Sequence, residues 1–202
     1  MSDAAVDKSK RTWLITSGCV GAVGTVCTAV PFVESFEPSE QARAAGAPVE
    51  ADISGIKPGT KITVAWRGKP VWIVHRTPEE LAGLPKNDPE LADPKSLLEP
   101  DTYTPPYAQN EWRSIKPEIL VMVGICTHLG CSPSDRFTPG PGQPGLPSDW
   151  RGGWLCPCHG SIYDLAGRVY KNKPAPFNME IPPYTFLSDT RVLIGEHHKP
   201  KA

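Results

Sequence analysis

The chain has 202 residues, 39% of them hydrophobic and 21% charged, with a formal net charge of −1, which leaves room for one domain or one domain with an appendage. The near-neutral balance excludes a nucleic-acid binder that relies on a basic field, and it excludes a highly charged disordered chain. The 18 Gly and 24 Pro make up about a fifth of the residues, against an ordinary share of roughly 12%, and predict turns and short strands rather than long helices. Six Cys are too few for a disulfide-dense mini-protein and too many for core filler, so their spacing carries the functional argument.

Residues 1–12 form a short N-terminus in which Lys8, Lys10 and Arg11 precede an uncharged run at 13–33. At about 1.5 Å per residue that run reaches about 31 Å as a helix, which matches a hydrocarbon core of about 30 Å. Glu34, Glu37 and Glu40 follow it. The asymmetry predicts a single-pass anchor with its N-terminus in the cytoplasm and the remaining chain across the membrane. A cleaved secretory signal is the alternative, but the run exceeds the usual apolar region of about 7–15 residues and lacks an A-x-A site. Ser9-Lys10-Arg11-Thr12-Trp13-Leu14 resembles a twin-arginine export signal with Lys in place of the first Arg, a route for folded domains. Gly18 with Ala22, and Gly21 with Thr25, put small residues on one face, where a partner helix in lipid could approach closely. Cys19 and Cys27 read as small apolar residues of this span.

Residues 34–48 contain almost no large apolar side chains and are expected to form a flexible hinge linker. From 49 to 202 the pattern is that of a β-rich domain. The runs 61–66 and 70–75, separated by Arg67-Gly68-Lys69, predict an antiparallel hairpin. Thr77-Pro78-Glu79-Glu80 combines an N-cap, Pro at the first helical position and a capping-box Glu, so a short helix starts there. Residues 85–106 read as connection, 118–123 as an apolar strand, 132–150 as a Pro/Gly-rich surface loop, and 181–187 and 191–195 as two late strands. The expected fold is mostly β: one transmembrane helix followed by a small antiparallel, β-sandwich-like domain.

Two stretches in that domain resemble each other. Cys126-Thr-His128-Leu-Gly-Cys131 and Cys156-Pro-Cys158-His159-Gly-Ser161 each bring two Cys and one His, and each follows an apolar stretch. Thiolates and imidazoles converging from two loops make a metal site. A structural zinc of the finger type usually takes a Cys pair from one element and a His pair from the other, whereas here each loop mixes the two. A [2Fe–2S] centre with two Cys on one iron and two His on the other uses C-x-H and C-x-x-H. Those are the spacings of Cys126 with His128 and of Cys156 with His159. On these residues the chain resembles the Rieske iron–sulfur proteins, from the anchor through all of the soluble part.

The resemblance implies a Rieske domain at 49–202, with a cluster-binding subdomain at about 124–180 and one [2Fe–2S] cluster held by Cys126, His128, Cys156 and His159. Cys131 and Cys158 match the extra pair that Rieske proteins of the cytochrome bc complexes join in a disulfide between the two loops. A domain outside the cytoplasm permits that bond. Ser161 and Tyr163 stand where this family donates hydroxyl hydrogen bonds to a bridging sulfide and to a ligand sulfur, here that of Cys126. Such donors, and neutral imidazoles in place of thiolates, favour the reduced state. The expectation is the upper part of the roughly −150 to +300 mV Rieske range. Residues 173–178, Lys-Pro-Ala-Pro-Phe-Asn, look like the family's cluster-covering proline loop, with Lys173 where many relatives have Gly. Leu129 is placed to pack at a docking surface.

The implied activity is that of the iron–sulfur subunit of a quinol–cytochrome c oxidoreductase. An imidazole bound through one ring nitrogen leaves the other turned outward, and the charge on the metal sets how tightly that nitrogen holds a proton. Electron and proton of a quinol then move together. The resemblance places His159 against ubiquinol, with His128 the other exposed ligand. It further implies cytochrome b and cytochrome c1 as partner subunits, a dimeric complex in the lipid of the cell inner membrane, a periplasmic Rieske domain and a head that swings on its linker. The small Rieske subunit of an arsenite oxidase-like enzyme shares the ligand pattern but needs neither a retained anchor nor a mobile linker. A zinc interaction module would be colourless. His75, His197 and His198 have no Cys or carboxylate at ligand spacing and read as ordinary strand or tail residues.

Overall fold

A computed structural model describes residues 7–98, 100 and 103–198; the chain divides into two units, residues 1–44 and 45–202. In the first, α1 (Lys8–Glu34) starts at Asp7, whose carboxylate accepts the N–H groups of Ser9 (3.0 Å) and Lys10 (3.3 Å). These are donors that have no partner inside a helix. α1 is longer than the apolar run because Lys8, Lys10 and Arg11 continue its first turns. The hydroxyls of Thr12, Ser17, Thr25 and Thr28 bond back to carbonyls of the preceding turn, which satisfies them within the helix itself. Mean hydropathy reaches 1.6, and among the described residues α1 is the one helix long and apolar enough to cross a membrane.

Residues 34–48, expected to lack fixed structure, contain the six-residue α2 (Glu40–Ala45). Ser39 caps it through the N–H of Ala42 (3.2 Å), and Arg43 reaches both Glu37 (2.8 Å) and Glu40 (3.3 Å). Low apolar content argues against a packed element, but a capped and charge-paired turn needs no packing.

Three antiparallel sheets of three strands build the second unit. β1 (Val49–Asp52) pairs along its length with the C-terminal strand at 191–194. β2 (Thr60–Trp66) and β3 (Lys69–His75) form the expected hairpin, its turn reduced to Arg67-Gly68. Both turn residues have positive φ, 50° and 70°, as a two-residue hairpin that follows the strand twist requires. Thr77 caps α3 (Pro78–Asn87) in the expected capping box with Glu80, and the helix continues past Pro85, where a connection was expected. β4 (Ile119–Val123) pairs with β3, and all its residues are buried, so it reads as an unbroken apolar run rather than an alternation.

The stretch with Cys126 and Cys131 leads from β4 into the next sheet, which itself carries Cys156 and Cys158. That sheet consists of β5 (Ser134–Arg136), β6 (Gly153–Leu155) and β7 (Ile162–Asp164), in that order. β5 lies inside the 132–150 stretch expected to be surface loop throughout. At the other end of that stretch Trp150 is buried, its indole N–H on the Arg136 carbonyl (2.8 Å) and its ring 5.9 Å from Tyr170. Residues 137–150 are irregular, as expected, but they stay at the surface only up to the buried Trp150. The last sheet places β9 (Arg191–Ile194) between β1 and β8 (Tyr184–Ser188). β8 begins at Tyr184 rather than at Ile181, because Pro182 and Pro183 offer no N–H to a ladder.

Buried arginines tie these short elements together. Arg76 donates to the carbonyls of Trp112, Leu165 and Pro117 and to Ser114 Oγ. Burial draws its pKa down to about 10, with Asp164 pulling the other way, so it stays charged at neutral pH. Arg168, 1% exposed, grips the fully buried Asp164 through Nε (2.9 Å) and Nη2 (2.7 Å), and also reaches Asp88 and the Leu84 carbonyl. Stranding a buried charge costs about 3–5 kcal/mol, so R168M should lower the unfolding free energy by that amount in chemical denaturation. D88N acts at the half-exposed end of the same network and should cost less than about 1 kcal/mol.

Candidate metal centre

The two Cys/His loops close in the same way. After β4, the Cys126 N–H donates to the Cys131 carbonyl (2.8 Å) and the Gly130 N–H to the Cys126 carbonyl (3.1 Å). Between β6 and β7, the Cys156 N–H donates to the Ser161 carbonyl (2.7 Å) and the Gly160 N–H to the Cys156 carbonyl (3.0 Å). Gly130 and Gly160 take positive φ, 82° and 74°, the conformation that lets each loop turn back on its first Cys. The likeness of the two motifs in sequence is thus a likeness of backbone, and the glycines that make it were missed as functional positions.

Each loop sends its first sulfur inward and its imidazole outward. Cys126 and Cys156 are neighbouring buried free thiols, whereas His159 is exposed and His128 half-buried. The two imidazole rings lie 4.7 Å apart and nearly perpendicular, at 86°. Cys131 and Cys158 form a disulfide that links the loops, with Cα atoms 6.7 Å apart. The sulfurs of Cys131, Cys156 and Cys158 lie within 4.8 Å of one another, but the disulfide pair has no thiolate to offer, which leaves Cys156 as the donor of that trio. Burial pushes the Cys156 thiol up, against the pull of the Cys158 and His159 N–H groups. A cation held between two such sulfurs removes that cost. Soft sulfur inside and imidazole at the rim fit the iron pair of a Cys₂His₂ [2Fe–2S] cluster.

Around the sulfurs, hydroxyl groups keep hydrogens to give. Tyr163 is fully buried, with its Oη 3.2 Å from Cys126 Sγ. The Thr127 N–H donates to the same Oη at 3.2 Å, which leaves the phenol hydrogen to Cys126 Sγ or to Thr127 Oγ1, 3.3 Å away, whose own hydrogen goes to the Phe177 carbonyl. Burial, and Cys126 beside it, push the Tyr163 pKa well up, so that hydrogen is kept. Ser161 Oγ, also buried, accepts the Ala175 N–H at 3.0 Å and retains its own hydrogen. The proline loop is pinned over this site at further points. Thr127 Oγ1 donates to the Phe177 carbonyl (2.6 Å), and buried Asn178 bonds Val169, Asp93 and Ser96. Thr127 and Asn178 were not singled out in the sequence, although the position of Thr127 between two ligand-type residues was a usable signal. Leu129 is 71% exposed beside the rings. His75, with Nδ1 at the Ile56 carbonyl, and His197 and His198, against Tyr107, lie elsewhere in the domain.

Residues 107–184 match the family described as Rieske [2Fe-2S] domain, and residues 1–39 the one described as Ubiquitinol-cytochrome C reductase Fe-S subunit TAT signal. Fold and site together define a Rieske protein, whose cofactor is one [2Fe–2S] cluster. Across 97% of its length the chain is 57% identical to the ubiquinol-cytochrome c reductase iron-sulfur subunit of Allochromatium vinosum, covering 93% of that protein. Across 94% it is 43% identical to that of Rhodospirillum rubrum, again covering 93%. The chain belongs to the ubiquinol–cytochrome c reductase iron–sulfur subunits, components of an oxidoreductase complex. Among solved structures, a chain of the Hyperthermophilic respiratory Complex III aligns over 88% of this chain and 97% of its own, with 27% identity and a TM-score of 0.46.

The disulfide closes a sequence separation of 27 residues, for which chain entropy gives about 3.5 kcal/mol at 25 °C. C131S should lower the unfolding free energy of the protein by about that amount in urea titration, and dithiothreitol added to the parent should reproduce the loss.

Proposed function

We propose that this chain takes one electron from ubiquinol, receives the accompanying proton on His159 and passes the electron to the cytochrome c1 subunit of a cytochrome bc1 complex. The observation that carries this reading is the layering of two buried thiols behind two imidazole rings at the rim, with His159 the more exposed of the two. Bound by Cys126, His128, Cys156 and His159, a [2Fe–2S] cluster supplies a one-electron carrier. Cys126 and Cys156, both buried, would hold it from the side away from water. His159 offers the quinol hydroxyl the ring nitrogen that faces solvent, and the proton rests there; His128 closes the second side of the rim. Tyr163 and Ser161 would each have a hydroxyl hydrogen to offer to sulfur of the bound cluster, which favours added negative charge. Leu129 gives the tip an apolar contact for cytochrome b.

Residues 13–33 anchor the chain in the inner membrane as part of a dimeric complex, with 1–12 cytoplasmic, 34–48 the hinge and 49–202 periplasmic. The basic residues before the span and the acidic ones after it support that orientation. The relatives' names favour the quinol reading over the arsenite-oxidising one.

In the isolated complex, H159Q should abolish ubiquinol-dependent cytochrome c reduction; a parental rate in that variant would overturn the proposal. Y163F removes the hydroxyl that can donate to Cys126 Sγ. Bonds to charged groups are worth about 1.5–3 kcal/mol, and a one-electron couple moves 59 mV per tenfold change. Redox titration of Y163F should therefore show a potential lowered by up to about 60–130 mV, with iron content unchanged.

A further inference from the structure

The roots of the two ligand loops meet through a pair of stacked indoles. Trp72 on β3 packs so closely on Gly124, two residues before Cys126, that a Cβ there would overlap the ring. Trp154 on β6 stands two residues before Cys156. The two rings lie 5.6 Å apart at 22°, and Phe137 closes the far side of Trp154 edge-on at 5.5 Å. Both indoles are buried. Any change in how they stack therefore moves one loop root against the other.

A single carboxylate oxygen governs both rings. Asp135 on β5 is the cross-strand partner of Trp154, and its Oδ1 accepts the Trp154 indole N–H at 3.0 Å. The same oxygen holds Lys61 Nζ at 2.5 Å, and that ammonium sits 3.6 Å from the centre of the Trp72 ring. Lys61 comes from β2, in a different sheet. The pair thus joins the β2–β3–β4 sheet to the cluster-bearing sheet, with Lys61 only 17% exposed. A charge-assisted bond to the indole and a cation over the other ring both constrain ring orientation.

We propose that Asp135 is a positioning residue for the metal centre. Through Lys61, Trp72 and Trp154 it sets the separation and orientation of the loop bearing Cys126 and His128 and the loop bearing Cys156 and His159. The inference rests on the reading of those four residues as cluster ligands.

The test uses the full chain in its assembled complex. D135L removes both contacts, D135N keeps an acceptor for Trp154, and W154F keeps a stacked ring without its N–H. E50Q, which breaks the Glu50–Arg191 pair (2.9 Å) of another sheet, is the control for a purely structural ion pair. Expected for D135L are displaced g values in the EPR spectrum of the reduced protein, a shifted midpoint potential, and iron loss to a chelator about tenfold faster, the usual scale for groups that orient metal ligands. D135N should recover part of each change, W154F should share them, and E50Q should show none. Parental g values and potential in D135L overturn the proposal, whatever its thermal stability. Should D135L fail to accumulate, W154F decides by the same readings. A parent without a Rieske EPR signal refutes the ligand assignment instead.

Discussion

Two thiols facing each other in a dry interior need a cation to hold them as thiolates, and the chain has to bring them together from positions 126 and 156 before that cation can act. The fold meets this constraint by making the same loop twice. Each loop closes on its first Cys with one short and one longer backbone bond, and each turns on a glycine of positive φ. Matched loops present matched donors, so the sulfurs converge while both rings fall on the solvent side. The disulfide between Cys131 and Cys158 then resists separation of the loops from without. The proline loop, through Ala175 and Phe177, braces them from the side.

Strands of three to seven residues leave many backbone groups outside any ladder, and a buried group without a partner is costly. The head answers with long polar side chains rather than with more sheet. Arg76, Arg113 and Arg168 reach carbonyls of irregular segments at Leu165, Ala166 and Pro94, and Asn178 joins the 93–96 region to the strand-like segment at Val169. Such networks add little net stability over an apolar core, but they specify one arrangement and make any other leave charges stranded. That suits a domain whose working part is a pair of loops rather than a pocket.

Much of this was legible from residue types alone. The Cys and His spacing marks the two matching loops, Thr77 and Glu80 mark the helix start, and the β-branched runs mark the hairpin, because each signal is local and tied to one geometry. What was hidden depends on partners far along the chain. Ser134-Asp135-Arg136 has no strand pattern of its own, and it becomes β5 only against β6 and with Lys61 to neutralise it. Trp150 sits among Pro and Gly, yet it is buried because Tyr170 and the Arg136 carbonyl receive it. Conversely, the run from Ile181 looks like a strand by hydrophobicity and is stopped by two prolines that cannot donate. Thr127 is a case in between: its place between Cys126 and His128 is a local signal, but what it bonds to depends on Tyr163 and Phe177.

The pairing of β1 with β9 has a mechanical side. The strand that follows the tether is stitched residue by residue to the last strand, from Val49 opposite Ile194 to Asp52 opposite Arg191. A pull on Val49 against a domain held elsewhere would therefore load that one ladder in shear. The two Cys/His loops hang from the other two sheets, one after β4 and one between β6 and β7, and contribute no rung to that seam.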